Sequence, residues 1–412
     1  MLRGWLDPKV LALAVVALAA GFGQFGAVAT LGDVARGFGH VTHGDRIAEQ
    51  AGLSGTELGL GLAVLRLASL AGLPVAGAAD RIGRRRVMLG AAGFGLALTM
   101  LAAASPGYWW FVIILAAGRP ALSAASSVAQ VAAVEETSSR DRAKAVALMA
   151  AAYAAGSGIT IVLHSLASHT LGFRGIFALA VVPLVLLLLV RRRVAETGRF
   201  TLAASSREQP TPVLGPVARP FRRRLAIVAG LAFAVAVVAG PANSFLFLYA
   251  QNVRHLAGWV TAVLVVGAGG AGLAGLALGR WLADHLGRRP TGAMGLAVIA
   301  LAAVLTYSGS KPALMLGYVA GVTSGSIFAP AAGALANELF PTSVRASVAG
   351  WNVAAGVLGA TVGLLLFGAM ADVGNRFSVA ALVTFLPVIP AALLFRLVPE
   401  TMGREPEEMW PS

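Results

Sequence analysis

Four polar side chains lie deep inside apolar stretches of the sequence: Gln24, Asp33, Arg66 and Arg119. Placing an arginine or an aspartate in the middle of a lipid bilayer costs about 2.5–3.5 kcal/mol, so such residues usually have a function. An arginine guanidinium can hold a carboxylate or a phosphate through two parallel hydrogen bonds. An aspartate can take up and release a proton, and a nearby arginine favours its charged form. This combination predicts a site that binds an anion and also handles a proton.

The stretches that carry these residues are long enough to cross a membrane. Hydrophobic residues make up 58% of the 412 residues and charged residues only 12%, which leaves too little polar surface for a soluble domain of this length. A hydrocarbon core of about 30 Å needs a helix of about 20 residues. The sequence therefore predicts an all-α polytopic membrane protein with twelve spans, at 9–33, 56–79, 87–104, 108–134, 143–168, 174–190, 224–250, 257–281, 291–309, 312–337, 345–370 and 376–397.

Helix-start residues support several of these spans. Asp7 before Pro8 has the chemistry of an N-cap followed by a first-turn proline. Ser54 and Glu57 have the spacing of a capping box. We expect spans 1 and 2 to begin at these residues.

The depth of each polar residue follows from its distance along the helix. Gln24 and Arg119 both lie about 24 Å from the cytoplasmic ends of their spans, and Arg66 lies about 21 Å from the end of its own span. Asp33 is the only acid expected in the outer half of any span. We expect Asp33 to carry the proton and Arg119 to set its affinity; for Arg66 a purely structural Arg–Asp bridge is the alternative. His164 lies near the outer rim with no partner assigned from sequence.

The basic residues indicate orientation rather than nucleic-acid binding. The net charge is +14, and most lysines and arginines fall in alternate loops, which places both termini in the cytoplasm and the protein in the plasma membrane. The sequence contains no cysteine, and we find no Walker loop, nucleophile elbow or pair of catalytic acids. We expect no enzymatic activity, no cofactor, no metal site and no nucleic-acid partner.

The two halves of the chain repeat each other in their cytoplasmic loops. ADRIGRRR at 79–86 matches ADHLGRRP at 283–290, and VAETGR at 194–199 matches VPETMGR at 398–404. A duplicated six-span bundle explains this register. We predict an N-terminal bundle at 1–190, a polar linker at 191–223 and a C-terminal bundle at 224–412, and we expect a monomer.

These repeated loops resemble those of the major facilitator superfamily of secondary transporters, and the likeness extends over essentially the whole chain. The stretches VPETMGR at 398–404 and NELFPTSVR at 337–345 are similar to those of its sugar-porter and organic-solute branches. Two features depart from the best-known branches. Span 5 lacks the Gly-Pro signature of proton-antiport drug exporters, and GFGQFGAVAT carries Gln24 and Phe25 where many symporters have an aspartate.

The resemblance implies a cytoplasmic latch between the two bundles. Asp80 would face span 11 near Arg345, and Asp284 would face span 5 near Arg142. The acids that end spans 4 and 10 would accept the loop arginines. The full set of predicted latch residues is Asp80, Arg81, Arg84, Glu135, Arg142, Asp284, Arg288, Glu338 and Arg345.

The function predicted from the sequence is proton-coupled secondary transport of a small organic solute by alternating access. An anionic or zwitterionic solute is favoured, because the deep charges sum to an excess of arginine. The predicted substrate residues are Gln24, Arg66, Arg119, Tyr153 and Asn243. A neutral sugar held by Gln24, Tyr153 and Asn243 stays open, as does an exporter of amphiphiles, drugs or lysolipid-like molecules. A protein of this fold that acts as a sensor or receptor is the alternative from another class.

Overall fold

The computed structural model describes residues 4–42, 47–194, 196, 214–404 and 410. These residues form helices and no β-strand, and twelve segments are long and apolar enough to span a membrane. This confirms the predicted all-α polytopic architecture. The spans are α1 Pro8–Ala29, α2 Gly55–Ile82, α3 Arg84–Ala104, α4 Tyr108–Glu136, α5 Arg142–Ala167, α6 Thr170–Val190, α7 Arg219–Val253, α8 Gly258–His285, α9 Arg288–Thr306, α10 Lys311–Glu338, α11 Ser343–Val373 and α12 Phe377–Leu397.

Helix starts follow the chemistry expected of them. The Oδ1 of Asp7 accepts the N–H of Lys9 at 2.9 Å at the start of α1. At the start of α2, the Oγ of Ser54 accepts the N–H of Glu57 at 3.1 Å, and the Glu57 carboxylate accepts the Ser54 N–H at 3.2 Å. Both predicted caps are confirmed.

Among the helix ends that differ from the prediction, two change the position of an acidic residue. α1 ends at Ala29, and Asp33 lies in a separate short helix, Leu31–Phe38, rather than inside the first span. α11 continues to Val373, so Asp372 lies in its last turn. The expectation that Asp33 is the only acid in the outer half of a span was therefore wrong.

Contacts divide the chain into two units. The first comprises Met1–Val34 and Ala68–Pro210, and the second comprises Ala35–Leu67 and Thr211–Ser412. The predicted boundaries at 190 and 223 stay a prediction, and residues 195 and 197–213 of the predicted linker lie outside the described residues.

In each unit, glycines let two helices pack with their backbones in close contact. In the first, a Cβ at Gly156 of α5 would collide with the backbone carbonyl of Leu18 in α1. In the second, a Cβ at Gly363 of α11 would collide with the carbonyl of Val237 in α7. Helix association in lipid depends on such close backbone contact, because no hydrophobic driving force acts between apolar helices there. These contacts hold α1 and α7, which carry predicted substrate residues, against α5 and α11.

Candidate functional site

In the first unit, Arg119 contacts Gln24. Arg119 lies directly before Pro120 in α4, and its Nη1 donates to the backbone carbonyl of Gln24 at 2.6 Å. The Oγ of Ser123, one turn further along α4, donates to the side-chain oxygen of Gln24 at 3.4 Å. Gln24 is buried. The two helices thus bring a guanidinium and a hydroxyl group into contact with one buried glutamine of the first unit.

Asp33 pairs with His164. The Oδ2 of Asp33 lies 2.8 Å from the Nε2 of His164 in α5, and the two side chains are 15% and 2% exposed. This contact gives His164 the partner that the sequence did not assign. The predicted influence of Arg119 on Asp33 stays a prediction. A carboxylate and an imidazole in hydrogen-bond contact can hold and pass on a proton, so this pair has the chemistry of a proton site.

The remaining predicted substrate residues lie on three different helices. Arg66 is near the end of the first half of α2, which groups with the second unit. Tyr153 in α5 packs against the apolar core of the first unit, and its backbone carbonyl accepts the hydroxyl of Ser157. Asn243 lies in α7 of the second unit. Their shared role in one site stays a prediction.

A cavity of about 350 Å³ lies between α7, α9 and α10 of the second unit, with one residue of α8 at its edge. Its walls are mostly aliphatic, and none of the described residues that line it is charged. The Nδ2 of Asn243 donates to the backbone carbonyl of Ala239 at 2.8 Å. The polar side chains of the lining are Asn243, Thr306, Tyr318 and Ser326.

This cavity suits an uncharged group of a small molecule. Small-molecule sites are mainly apolar, with a few polar groups that fix orientation. A carboxylate placed here would meet no cationic side chain among the described lining residues. A ring with one or two hydrogen-bonding atoms would instead find partners in the polar side chains of the lining. Of the residues that line the cavity, Asn243 is the one predicted from the sequence to bind substrate. Tyr318 and Thr306 were missed, because nothing in their spacing shows which face of an apolar helix they occupy.

At the cytoplasmic loop of the first repeat, Arg84 links two acids. Its Nη2 lies 3.2 Å from the Oδ1 of Asp80 and 2.8 Å from the Oε1 of Glu135. Glu196 accepts the backbone N–H of Arg84 at 2.8 Å and of Arg85 at 3.2 Å. The carboxylate of Glu196 therefore caps the start of α3, where the helix dipole favours a negative charge.

The second repeat reproduces this arrangement. Arg288 lies 3.3 Å from the Oδ1 of Asp284 and 3.3 Å from the Oε1 of Glu338. Glu400 accepts the backbone N–H of Arg288 at 2.9 Å and of Arg289 at 3.0 Å. Arg84 and Arg288 thus form ion pairs with the acids that end α4 and α10, as expected. The capping role of the two repeated glutamates was not predicted, although their repetition in sequence was visible.

Glu400 also shows an electrostatic consequence of capping. Partial burial acts to raise the pKa of its carboxyl, but hydrogen bonds from four backbone N–H groups outweigh it and lower the pKa below its usual value. The donors are Arg289, Arg288, Met402 and Thr401. The carboxylate is therefore held in its charged form at the start of α9.

Three further latch residues have separate surroundings. The Nε of Arg345 donates to the backbone carbonyl of Phe340 at 2.9 Å within its own unit. Arg142 begins α5, and Arg81 is exposed in the last turn of α2. The cross-bundle pairs that the family resemblance implied for Asp80 and Asp284 stay a prediction.

Comparison with known proteins identifies the class. The chain matches the sequence model of the Major Facilitator Superfamily over residues 11–307 and 270–411. It therefore belongs to that superfamily, whose members are membrane transporters rather than enzymes. The chain is a multi-pass membrane transporter of small organic solutes.

Individual relatives are more distant. The chain is 26% identical, over 85% of its length and 84% of the relative, to a probable 4-methylmuconolactone transporter of Cupriavidus pinatubonensis. It shares its fold with the xylose transporter XylE from E. coli in an inward open conformation, with a TM-score of 0.73, 18% identity and coverage of 98% and 99% of the two chains. It also resembles a bacterial homologue of the human lysosomal transporter Spinster, with a TM-score of 0.71, 15% identity and coverage of 94% and 95%.

Proposed function

We propose that the protein is a proton-coupled secondary transporter of a small organic acid and works by alternating access. The observation that carries the proton part is the contact of the buried His164 with the partly buried Asp33, whose side chains lie 2.8 Å apart. A group that binds and releases a proton must change its surroundings during the cycle. A carboxylate beside an imidazole offers that change, because moving one away alters the proton affinity of the other.

Arg119 supports an anionic solute. One nitrogen of its guanidinium donates to the backbone carbonyl of Gln24, which orients the group. A carboxylate meets both the charge and the planar geometry of arginine.

The cavity in the second unit supports a solute with an uncharged cyclic part. Its volume of about 350 Å³ lies in the range of small-molecule sites. The relative from Cupriavidus is named as a 4-methylmuconolactone transporter, and a muconolactone combines a carboxylate with a lactone ring. We propose a solute of that kind, with a compact ring for the cavity and one carboxylate.

Uptake into proteoliposomes tests the substrate class. Three probes separate the candidates: a muconolactone, its uncharged methyl ester, and xylose. We expect uptake of the acid driven by an imposed pH gradient, with little uptake of the ester or the sugar. Arg119→Lys keeps the charge but loses the planar fork, so the apparent affinity for the acid should fall about tenfold or more. Equal uptake of acid and ester, unchanged in Arg119→Lys, would refute the anion assignment.

Two variants of α10 test the cavity. A Cβ at Gly325, which lines the cavity, meets no atom within 4 Å, and the same is true of Gly333, which does not line it. Gly325→Leu should fill part of the cavity and raise the KM for the acid. Gly333→Leu on the same helix is the matched control and should leave the KM unchanged. Similar KM values in both variants would exclude the cavity as part of the binding site.

The apolar lining of the cavity also favours a second candidate, an exporter of amphiphiles or lysolipid-like molecules. Under that reading, a lysolipid would bind the reconstituted protein and move outward, and Gly325→Leu would weaken its binding. Binding of any probe without movement would instead indicate the sensor alternative.

The proposal includes location and direction in the membrane. Arginine-rich loops favour a plasma-membrane protein with both termini in the cytoplasm, and we propose a monomer. Protease access to a tag at either terminus in sealed right-side-out membrane vesicles tests the orientation: a tag digested without permeabilisation would reverse it.

A further inference from the structure

We propose that the first half of α2, Gly55–Ala68, is a movable half-helix that Asp372 fastens to α11. The Oδ1 of Asp372 accepts the backbone N–H of Gly55 at 2.7 Å, and its Oδ2 accepts the N–H of Thr56 at 2.8 Å. The hydroxyl of Thr56 donates to the same Oδ2. One carboxylate in the last turn of α11 thus binds three donors at the start of another helix. We call this contact the Asp372 clasp.

Close backbone packing lies directly behind the clasp. A Cβ at Gly59 would come within 2.5 Å of the carbonyl oxygen of Leu364, and a Cβ at Gly368 would collide with the carbonyl oxygen of Gly55. Small residues therefore let α2 and α11 touch along one turn beyond the carboxylate. The contact depends on this narrow strip, so a single added side chain can force the helices apart.

The half-helix does not need Asp372 for its own start. The Oγ of Ser54 accepts a hydrogen bond from the N–H of Glu57, and the carboxylate of Glu57 accepts one from the N–H of Ser54. This local capping box stays intact when α2 leaves α11. Thr56 is exposed, so water can replace the clasp bonds there after release. The clasp therefore acts as an attachment rather than as the cap that the helix requires.

A change of helix type marks the other end of the half-helix. α2 passes through a 3-10 turn at Ser69–Ala71 before it resumes as Gly72–Ile82. The contact-based units change at the same place: Ala35–Leu67 groups with the second unit, whereas Ala68 and the residues after it group with the first. A 3-10 turn within a longer helix often marks a hinge. The half-helix thus has a hinge at one end and a clasp at the other.

Alternating access requires contacts that hold in one state and release in another. The clasp is suited to this, because its bonds lie at a partly exposed surface and exchange with water at small net cost. None of its three bonds involves Arg119, Asp33 or His164. The clasp therefore stands independently of the substrate and coupling proposed above.

Distance measurement by pulsed EPR tests the clasp. The sequence has no cysteine, so Leu60→Cys and Leu366→Cys, at positions 41% and 44% exposed, introduce two unique labelling sites on α2 and α11. In the full-length protein in nanodiscs, without solute or pH gradient, we expect a short and a long distance. Asp372→Asn should raise the ratio of the long to the short population about tenfold, equivalent to about 1.4 kcal/mol.

Asp7→Asn is the matched control. Asp7 also accepts a first-turn N–H, that of Lys9 at the start of α1, so this variant should leave the distances between α2 and α11 unchanged. Gly368→Leu gives a second route, because it separates the helices with Asp372 intact and should also favour the long distance. A distribution unchanged in both Asp372→Asn and Gly368→Leu would overturn the clasp, as would an equal shift in Asp7→Asn. Since no solute is present, these results do not depend on whether the protein carries an organic acid.

Discussion

Replacing Glu400 with glutamine is expected to lower the free energy of unfolding by about 1–2 kcal/mol at neutral pH. The carboxylate accepts N–H groups of Arg288 and Arg289 at 2.9 and 3.0 Å, and of Thr401 and Met402 at 3.0 and 3.2 Å. Glutamine keeps one accepting oxygen, loses the charge and turns an NH₂ group toward one of these donors. Loss of a helix cap costs about 0.5–2 kcal/mol, and the partial burial of this carboxylate argues for the upper half of that range.

The effect should depend on pH in a defined direction. The pKa of Glu400 is lowered in the folded protein by its backbone hydrogen bonds. The folded state therefore releases this proton more readily than the unfolded state, whose glutamate titrates near about 4.3. The stabilisation is complete above that value and is lost as the pH falls through the lower folded pKa. The difference between wild type and Glu400→Gln should shrink toward zero in acid.

Unfolding by SDS titration of the detergent-purified protein measures this difference. Glu196→Gln, at the repeated position in the first unit, should give a loss of similar size. Asp141→Asn is the control: its exposed ion pair with Lys144 at 3.1 Å should contribute under about 1 kcal/mol. A Glu400→Gln protein as stable as wild type at pH 7, or a difference that grows as the pH falls, would refute the capping argument.

Three further outcomes are expected. Gly156→Val should destabilise the protein by about 1–3 kcal/mol, because its Cβ meets the carbonyl of Leu18, whereas Gly158→Val on the same helix meets no atom within 4 Å and should be neutral. Asp80→Asn should favour an open cytoplasmic face with normal expression; unchanged EPR distances across that face would leave this acid with an orienting role only. His164→Asn should abolish uptake driven by a pH gradient but spare solute exchange, and a wild-type pH profile in this variant would contradict the proton-site proposal.

Several features of the protein follow from the sequence alone because they depend on local chemistry. The number of spans follows from the length of each apolar stretch against the bilayer thickness. The starts of α1 and α2 follow from Asp7 and from Ser54 with Glu57, whose side chains reach amides two or three residues away. The turns at Gly83 and Gly287, with φ of 112° and 106°, follow from the need for glycine in that backbone region.

The contacts between side chains on different helices depend on the rotation of each helix about its axis, and only the tertiary structure shows that rotation. The spans are apolar on every side, so the sequence carries little signal for which face a residue occupies. The pairing of Asp33 with His164 and the cavity beside Tyr318 were therefore not predictable from spacing. The contact of Asp372 with Gly55 joins residues more than 300 positions apart, and it required a helix end three residues beyond the predicted one. Such contacts form only when packed backbones set the helices at a particular depth and rotation, and no local pattern along the chain encodes that geometry.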